Sequence, residues 1–145
     1  MSRVATGSET GEGGGWGQPV VLVAEDDPAF RRLIASVLAD AGYEVIEAAD
    51  GMALLALIES TLTRRRGRAD SFLVVTDVRM PGLGGLDVLA ILRCANWATP
   101  VILITAFGDE MTHAEGRELG AAAVFDKPFN IDELRRAVLE MLPPA

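Results

Sequence analysis

Residues 20–28 read Val-Val-Leu-Val-Ala-Glu-Asp-Asp-Pro, five apolar residues followed at once by three carboxylates and a proline. A short, wholly apolar run is typical of a strand in a parallel sheet, where both faces are covered. Asp is a favoured N-cap and Pro is favoured at the next position, so Asp27 and Pro28 predict the start of a helix. The stretch therefore predicts a strand that runs directly into a helix, and it leaves Glu25 and Asp26 at the carboxyl end of that strand.

The same alternation of apolar runs and helical periodicity continues to the end of the chain. It predicts an α/β fold, a doubly wound parallel sheet of five strands whose ligand site lies at the carboxyl ends of the strands. The predicted strands are residues 20–24, 43–47, 72–76, 100–104 and 122–125. The predicted helices are residues 28–41, 51–63, 85–95, 109–119 and 130–142.

The composition limits the classes of function. The chain has 145 residues, half of them hydrophobic, which is enough for one domain with a real core. A net charge of −8 argues against a nucleic-acid binder, and no run approaches the roughly 18 apolar residues that a membrane span needs. We expect a cytoplasmic protein that binds neither nucleic acid nor membrane. Its single cysteine, Cys94, is expected to be a small core hydrophobe in a reducing compartment.

The beginning of the chain differs from the rest. Residues 1–18 are rich in Gly, Ser and Thr, a composition that favours a flexible leader over a packed element. We therefore expect residues 1–18 to be a flexible Gly-rich leader and residues 19–145 to form the folded domain.

Polar residues follow four of the five predicted strands. Lys127 is the only lysine, the other twelve basic residues being arginine, and it lies two residues beyond the fifth predicted strand. Lysine carries a compact charge on a flexible stem and suits contact with one oxygen of a phosphate-like group. Asp77 follows the third strand and Thr105 the fourth. Because the carboxyl ends of parallel strands meet at one edge of the sheet, these side chains predict one pocket.

The acidic residues of this pocket indicate a metal. Glu25 and Asp26 are adjacent and would repel each other unless a cation neutralised them, and Asp77 adds a third carboxylate. Mg²⁺ prefers oxygen ligands of this kind. The alternative interpretation is a solvated acidic loop.

Four motifs together resemble the receiver domains of two-component response regulators. They are LVAEDDP at 22–28, VTDVRMPG at 75–82, ITA at 104–106 and DKPF at 126–129. Each motif is weak alone, but the four in this order and spacing are highly specific. The resemblance runs from about Val20 to Leu142, and it implies a flavodoxin-like (βα)5 fold with strand order 2-1-3-4-5.

The resemblance also implies an activity. Asp77 would accept a phosphoryl group from a sensor histidine kinase or a phosphotransfer protein, and the domain would catalyse only its own phosphorylation and dephosphorylation. Thr105 and Lys127 would hold the phosphoryl oxygens. The signal would pass to an unknown output protein through the face between the fourth and fifth helices, from a monomer or a weak dimer.

A metal site and a backbone feature are implied as well. Mg²⁺, for which Mn²⁺ can substitute, would be bound directly by Asp26 and Asp77 and through water by Glu25. The backbone carbonyl of Arg79 would complete the protein ligands. The peptide between Lys127 and the following proline would be cis.

One position departs from the family pattern. Family members commonly carry Tyr or Phe three residues before the lysine, where this chain has Val124. Phe125 follows, but strand alternation points it to the opposite face. We therefore expect activation without the usual aromatic rotation, through altered order in residues 106–119, which include the predicted fourth helix. The predicted helix contains Gly116, and its expected apolar stripe is thin, formed by Met111, Ala114 and Leu119.

Two further functions compete with the phosphoacceptor hypothesis. One is a phosphorylation-independent interaction module of the same fold, which Val124 favours mildly. The other is an aspartate-dependent phosphatase, which needs an acid two residues after its nucleophile, where this chain has Arg79. Arg79 and Phe107 also flank the expected path of hydrolytic water, and neither is a general base, so we expect slow dephosphorylation.

Two surface features allow two interpretations each. The arginine-rich segment 64–68 is expected to be a solvated loop, and the alternative is a docking patch for an acidic partner. His113 is expected to be an ordinary surface residue of the fourth helix. The alternative, a phosphorelay histidine, normally belongs to a four-helix bundle.

Overall fold

A computed structural model describes residues 17–106 and 109–144 of this chain. Most of the expected leader and Phe107 lie outside the described residues. Strands and helices alternate within these ranges, and a short 3-10 turn lies at Ala69–Ser71. The strands are β1 (Val20–Ala24), β2 (Glu44–Ala48), β3 (Phe72–Asp77), β4 (Val101–Ala106) and β5 (Ala123–Lys127). The helices are α1 (Pro28–Asp40), α2 (Gly51–Arg64), α3 (Gly85–Cys94), α4 (Glu110–Glu118) and α5 (Ile131–Met141).

The strands form one parallel sheet in the order β2-β1-β3-β4-β5, which confirms the predicted topology. Four strands end later than predicted: β2 ends at Ala48, β3 at Asp77, β4 at Ala106 and β5 at Lys127. The apolar pattern ends where the side chains become polar, but the backbone ladder continues past that point. In the register of this ladder, Asp77 lies opposite Ile104 and Thr105 lies opposite Asp126. The functional candidates are therefore held on strands rather than on loops.

Helices cover both faces of the sheet, as the apolar runs predict. Alternate residues of β1 enter the two cores: Leu22 packs with α2 and α3, and Val23 packs with α1 and α5. Val124 belongs to the first core and Phe125 to the second, so the two residues point to opposite faces, as expected from strand alternation. Asp27 caps α1 by accepting from Ala29 N, which confirms its structural role.

Two expectations about burial are wrong. Cys94 is exposed, because it is two residues beyond the buried Leu92 and so lies on the far side of α3. The arginine-rich segment is not wholly solvated: Arg65 is buried and donates to the Gln18 carbonyl at 2.9 Å. Its long stem lies inside while the guanidinium keeps a hydrogen-bond partner.

The packing of α4 also differs from its expected apolar stripe. Met111 is 79% exposed, and the buried residues of the helix are Thr112 and Gly116. A Cβ at position 116 would lie only 2.9 Å from Leu103 Cδ1, so the glycine lets the helix backbone approach β4. The helix is held by close backbone contact rather than by large side chains. Among the helices in the described ranges, none is both long and apolar enough to cross a membrane.

Candidate functional site

The ammonium group of Lys127 lies between two buried carboxylates at the carboxyl edge of the sheet. Its Nζ donates to Asp77 Oδ2 at 2.6 Å and to Glu25 Oε1 at 3.2 Å. Asp77 and Glu25 are almost wholly buried, whereas about a third of the lysine side chain is exposed. The fold thus joins the ends of β1, β3 and β5 through one lysine, as the sequence predicts.

A third carboxylate completes an acidic cluster around this lysine. Oxygen atoms of Glu25, Asp26 and Asp77 all lie within 4.8 Å of one another. Glu25 and Asp77 are buried and Asp26 is exposed, so the cluster opens to solvent on one side. Three carboxylates against one ammonium leave an excess of negative charge that a divalent cation would balance. Hard oxygen donors open to water fit Mg²⁺, which keeps several of its waters when bound.

The charges in this cluster perturb one another. Burial, followed by the hydrogen bond and the charge of Asp77, raises the pKa of Glu25 to about 7. Burial alone would lower the pKa of Lys127, but its contacts with Asp77 and Glu25 outweigh that effect and raise it. Lys127 is therefore a cation at neutral pH. When no metal is bound, about half of the Glu25 carboxyl groups are protonated at that pH.

Residues of α1 support the acidic cluster from the side. Arg31 Nη1 donates to the Glu25 carbonyl oxygen at 2.7 Å, and its Nε lies 3.0 Å from Glu47 Oε1. The ring of Phe30 lies 5.2 Å from Lys127 Nζ, within range of a cation–π contact. Sequence reasoning missed both residues. Both residues lie in the first turn of α1, directly after the acidic residues, and this position is the sequence signal that could have identified them.

Thr105 brings a hydroxyl to the same edge, from β4. Its Oγ1 is buried and has no hydrogen-bond partner among the described residues. Leaving a buried hydroxyl unpaired is unfavourable, so such groups commonly have a ligand or water as partner. Thr105 is thus a free donor next to the strand that carries Asp77.

Arg79 extends the site towards α4. Its N–H donates to Asp77 Oδ1 at 2.9 Å, while its Nη2 lies 3.6 Å from Asp109 Oδ2. The other oxygen of Asp109 caps α4 by accepting from Thr112 N at 3.2 Å. Hydrogen bonds from Thr112, and then the charge of Arg79, lower the pKa of Asp109. The sequence analysis did not identify Asp109, although an acid directly before a helical pattern is an N-cap signal.

Two other features lie beside the site. His113 Nε2 and Asp126 Oδ1 are 2.7 Å apart, so the histidine joins α4 to β5 rather than standing alone on the surface. The peptide between Lys127 and Pro128 is cis, in agreement with the resemblance.

Comparison with known proteins agrees with this geometry. The protein-family model for the response regulator receiver domain matches residues 21–139 of this chain. Sporulation initiation phosphotransferase F of Bacillus subtilis is 34% identical over 123 residues, which cover 85% of this chain and 93% of that protein. The transcriptional regulatory protein TcrA of Mycobacterium tuberculosis is 37% identical over 114 residues, which cover 79% of this chain and 42% of that protein.

Solved structures give the same result. The receiver domain of the Francisella response regulator 1452 superposes with a TM-score of 0.75 at 34% identity, covering 85% of this chain and 95% of that one. The chemotaxis protein CheY4 of Vibrio cholerae superposes with a TM-score of 0.69 at 30% identity, covering 85% and 98%. The chain spans nearly all of the sporulation phosphotransferase but less than half of TcrA.

Proposed function

This chain belongs to the family of response regulator receiver domains of two-component systems, and on that premise we propose that Asp77 is its phosphoacceptor. The donor is a phosphohistidine on a sensor histidine kinase or on a phosphotransfer protein. An Asp77 carboxylate oxygen attacks phosphorus, the phosphorus–nitrogen bond breaks, and the histidine leaves with the bonding electron pair. The product is an acyl phosphate on Asp77.

The observation that carries this proposal is the position of Lys127 between Asp77 and Glu25. An ammonium 2.6 Å from the acceptor oxygen is close enough to move onto a phosphoryl oxygen as negative charge arrives there. The unpaired Thr105 hydroxyl would donate to a second phosphoryl oxygen. Positioned donors of this kind supply most of the catalysis in phosphoryl transfer.

The metal ligands follow from the same cluster. Asp26 and Asp77 would bind Mg²⁺ directly, Glu25 would bind it through water, and the carbonyl of Arg79 would complete the set, with Mn²⁺ able to substitute. When bound, the ion would supply positive charge that offsets the charge of the phosphoryl oxygens.

A separate phosphatase activity is less well supported. That reaction needs an acid two residues after the nucleophile to protonate a leaving group. Arg79 occupies the position, and its guanidinium is directed to Asp109. The proposed domain therefore catalyses only its own phosphorylation and dephosphorylation.

We also propose how the signal leaves the domain, which we take to be residues 19–145. The output partner would bind the face of α4, β5 and α5, and the names of the relatives suggest phosphotransfer or transcription as the pathway served. The domain would act as a monomer or a weak dimer, without contacting nucleic acid itself.

The proposal is tested with phosphoramidate, whose phosphorus–nitrogen bond resembles that of phosphohistidine. The protein should gain an alkali-labile phosphoryl group with Mg²⁺ or Mn²⁺ and should gain none with EDTA. Thr105→Val, which keeps the shape of the side chain but removes the donor, should slow the reaction. Equal rates with and without metal would contradict the proposed site.

A further inference from the structure

The side chain of Arg79 connects the loop after β3 with the first turn of α4. Its own N–H is bonded to Asp77, and its guanidinium contacts Asp109, the residue that caps α4. Arg79 thus connects Asp77, the proposed acceptor, with α4, which forms part of the proposed output face. Val124 stands at the position where family members commonly carry an aromatic ring.

We propose that a phosphoryl group on Asp77 replaces Asp109 as the partner of the Arg79 guanidinium, and that this exchange releases the first turn of α4. The inference rests on the proposed function, because it requires a phosphoryl group on Asp77. Asp109 is a positioning residue in this scheme: it contacts no reacting atom and acts by holding Arg79 away from the acceptor.

The competition for Arg79 favours the phosphoryl group. The arginine side chain is 76% exposed and approaches Asp109 only to 3.6 Å, so water and salt screen the pair strongly. A phosphoryl group carries about two negative charges and three acceptor oxygens, and it forms short, charge-assisted hydrogen bonds with guanidinium. The weak, exposed pair of Arg79 with Asp109 is therefore replaced by a stronger pair with the phosphoryl group on Asp77, which already accepts from the Arg79 backbone N–H.

The remaining contacts of α4 determine which part of the helix responds. His113 joins the helix to Asp126, and Gly116 packs closely against β4 and β5. Gly116 lies beyond the first turn, residues 110–113, and His113 is the last residue of that turn. Within that turn Glu110 and Met111 are exposed, Met111 to 79%, and Thr112 is buried. Once Arg79 leaves Asp109, the start of α4 is therefore freer than its end.

The experiment compares the parent with two variants, with and without beryllofluoride as a mimic of the phosphoryl group, in the presence of Mg²⁺. Asp109→Asn removes the charge that holds Arg79 but keeps a good N-cap. Asp132→Asn is the matched control, since it also removes one carboxylate of an exposed ion pair, 3.4 Å from Arg135 on α5. The measurements are hydrogen exchange over residues 77–79 and 110–113, and the NMR signal of the Arg79 Nε–H group.

In the parent, the mimic should change hydrogen exchange at residues 77–79 and shift the NMR signal of the Arg79 Nε–H group. It should also speed hydrogen exchange at residues 110–113 by about two- to fivefold, as expected for the loss of an exposed ion pair. Asp109→Asn should exchange faster at 110–113 before the mimic is added and change little afterwards. Asp132→Asn should respond like the parent.

The contrary outcomes separate the two proposals. In one contrary outcome, the mimic changes hydrogen exchange at residues 77–79 in all three proteins, and it speeds hydrogen exchange at residues 110–113 as much in Asp109→Asn as in the parent. The proposed function then stands, and the proposed replacement of Asp109 by the phosphoryl group is wrong. If the mimic leaves residues 77–79 of the parent unchanged, the proposed acceptor site fails and the exchange fails with it.

Discussion

Gly116 on α4 and Val124 on β5 approach so closely that a Cβ at position 116 would lie 3.3 Å from Val124 Cγ2. The same Cβ would lie 2.9 Å from Cδ1 of Leu103, a fully buried side chain with little room to move. The backbone of α4, the helix that is expected to move, therefore packs directly against β4 and β5, the strands that carry Thr105 and Lys127. A shift of the whole helix would change this contact, whereas a release of its first turn would leave it in place.

Gly116→Ala should destabilise the protein despite the better helix propensity of alanine. Propensity would add about 1 kcal/mol of stability, whereas overpacking a close contact typically costs about 1–3 kcal/mol. Urea unfolding measures the difference. Ala114→Gly, at an exposed position of the same helix, gives the propensity effect alone. A gain of about 1 kcal/mol for Gly116→Ala would mean that the close approach does not restrict the helix.

Mg²⁺ should raise the Tm of the protein by several degrees. Without metal, three acidic side chains share a small volume and Lys127 offsets only part of their repulsion, so a cation that binds the folded state stabilises it. Asp26→Asn should reduce the shift and stabilise the metal-free protein. Asp40→Asn, an exposed change outside the site, is the control of equal charge. An unchanged Tm at millimolar Mg²⁺ would count against a working metal site.

Mg²⁺ affinity should depend on the protonation of Glu25. The pKa of Glu25 in the folded protein is about 7, above its usual 4.5, so the folded state holds this proton more tightly than the unfolded chain. Without metal, stability should therefore fall as the pH rises between these two values, and the loss should be complete above about pH 7.

Metal binding and this proton compete, because the metal favours the charged carboxylate. Mg²⁺ titrations followed by Tm should therefore show weaker binding as the pH falls below about 7. Glu25→Gln should remove most of the dependence in this range. If the parent binds Mg²⁺ equally well on both sides of the Glu25 pKa, the carboxylate does not take part in binding.

The phosphoryl group should persist for minutes or longer. Arg79 and Phe107 flank the expected path of water, and neither can act as a general base. Phe107 lies outside the described residues, and its expected effect follows from its bulky, apolar side chain. The double variant Arg79→Asn with Phe107→Glu should lose its phosphoryl group roughly tenfold faster, equivalent to about 1.4 kcal/mol of barrier. An unchanged lifetime, followed by mass spectrometry, would show that these two positions do not control water access.

Local sequence signals were sufficient for the fold and for most of the pocket. Asp27 and Pro28 marked the start of α1 because capping and proline preferences act within one turn, and the apolar runs located all five strands. The approach of Lys127 to Asp77 followed from parallel topology. These features depend on neighbours in sequence or on the common edge of a parallel sheet.

Contacts between separate elements were not predictable in the same way. The pairing of Arg79 with Asp109 depends on how the loop after β3 faces α4, and the pairing of His113 with Asp126 depends on the seating of α4 on β5. The apolar neighbours of Cys94 predict a core position, but the helical angle after the buried Leu92 turns Cys94 to solvent. Apolar content alone does not fix the face of a helix on which a residue lies.

Intact-mass measurement of the parent and Asp77→Asn, after incubation with acetyl phosphate and Mg²⁺, tests the central claim most directly. Asparagine keeps the shape of the side chain but lacks the nucleophilic carboxylate, so the variant should remain foldable and unreactive. We predict that the parent gains the mass of one phosphoryl group, that Asp77→Asn gains none, and that EDTA abolishes the gain in the parent. Equal modification of the two proteins would contradict the assignment of Asp77 as the phosphoacceptor.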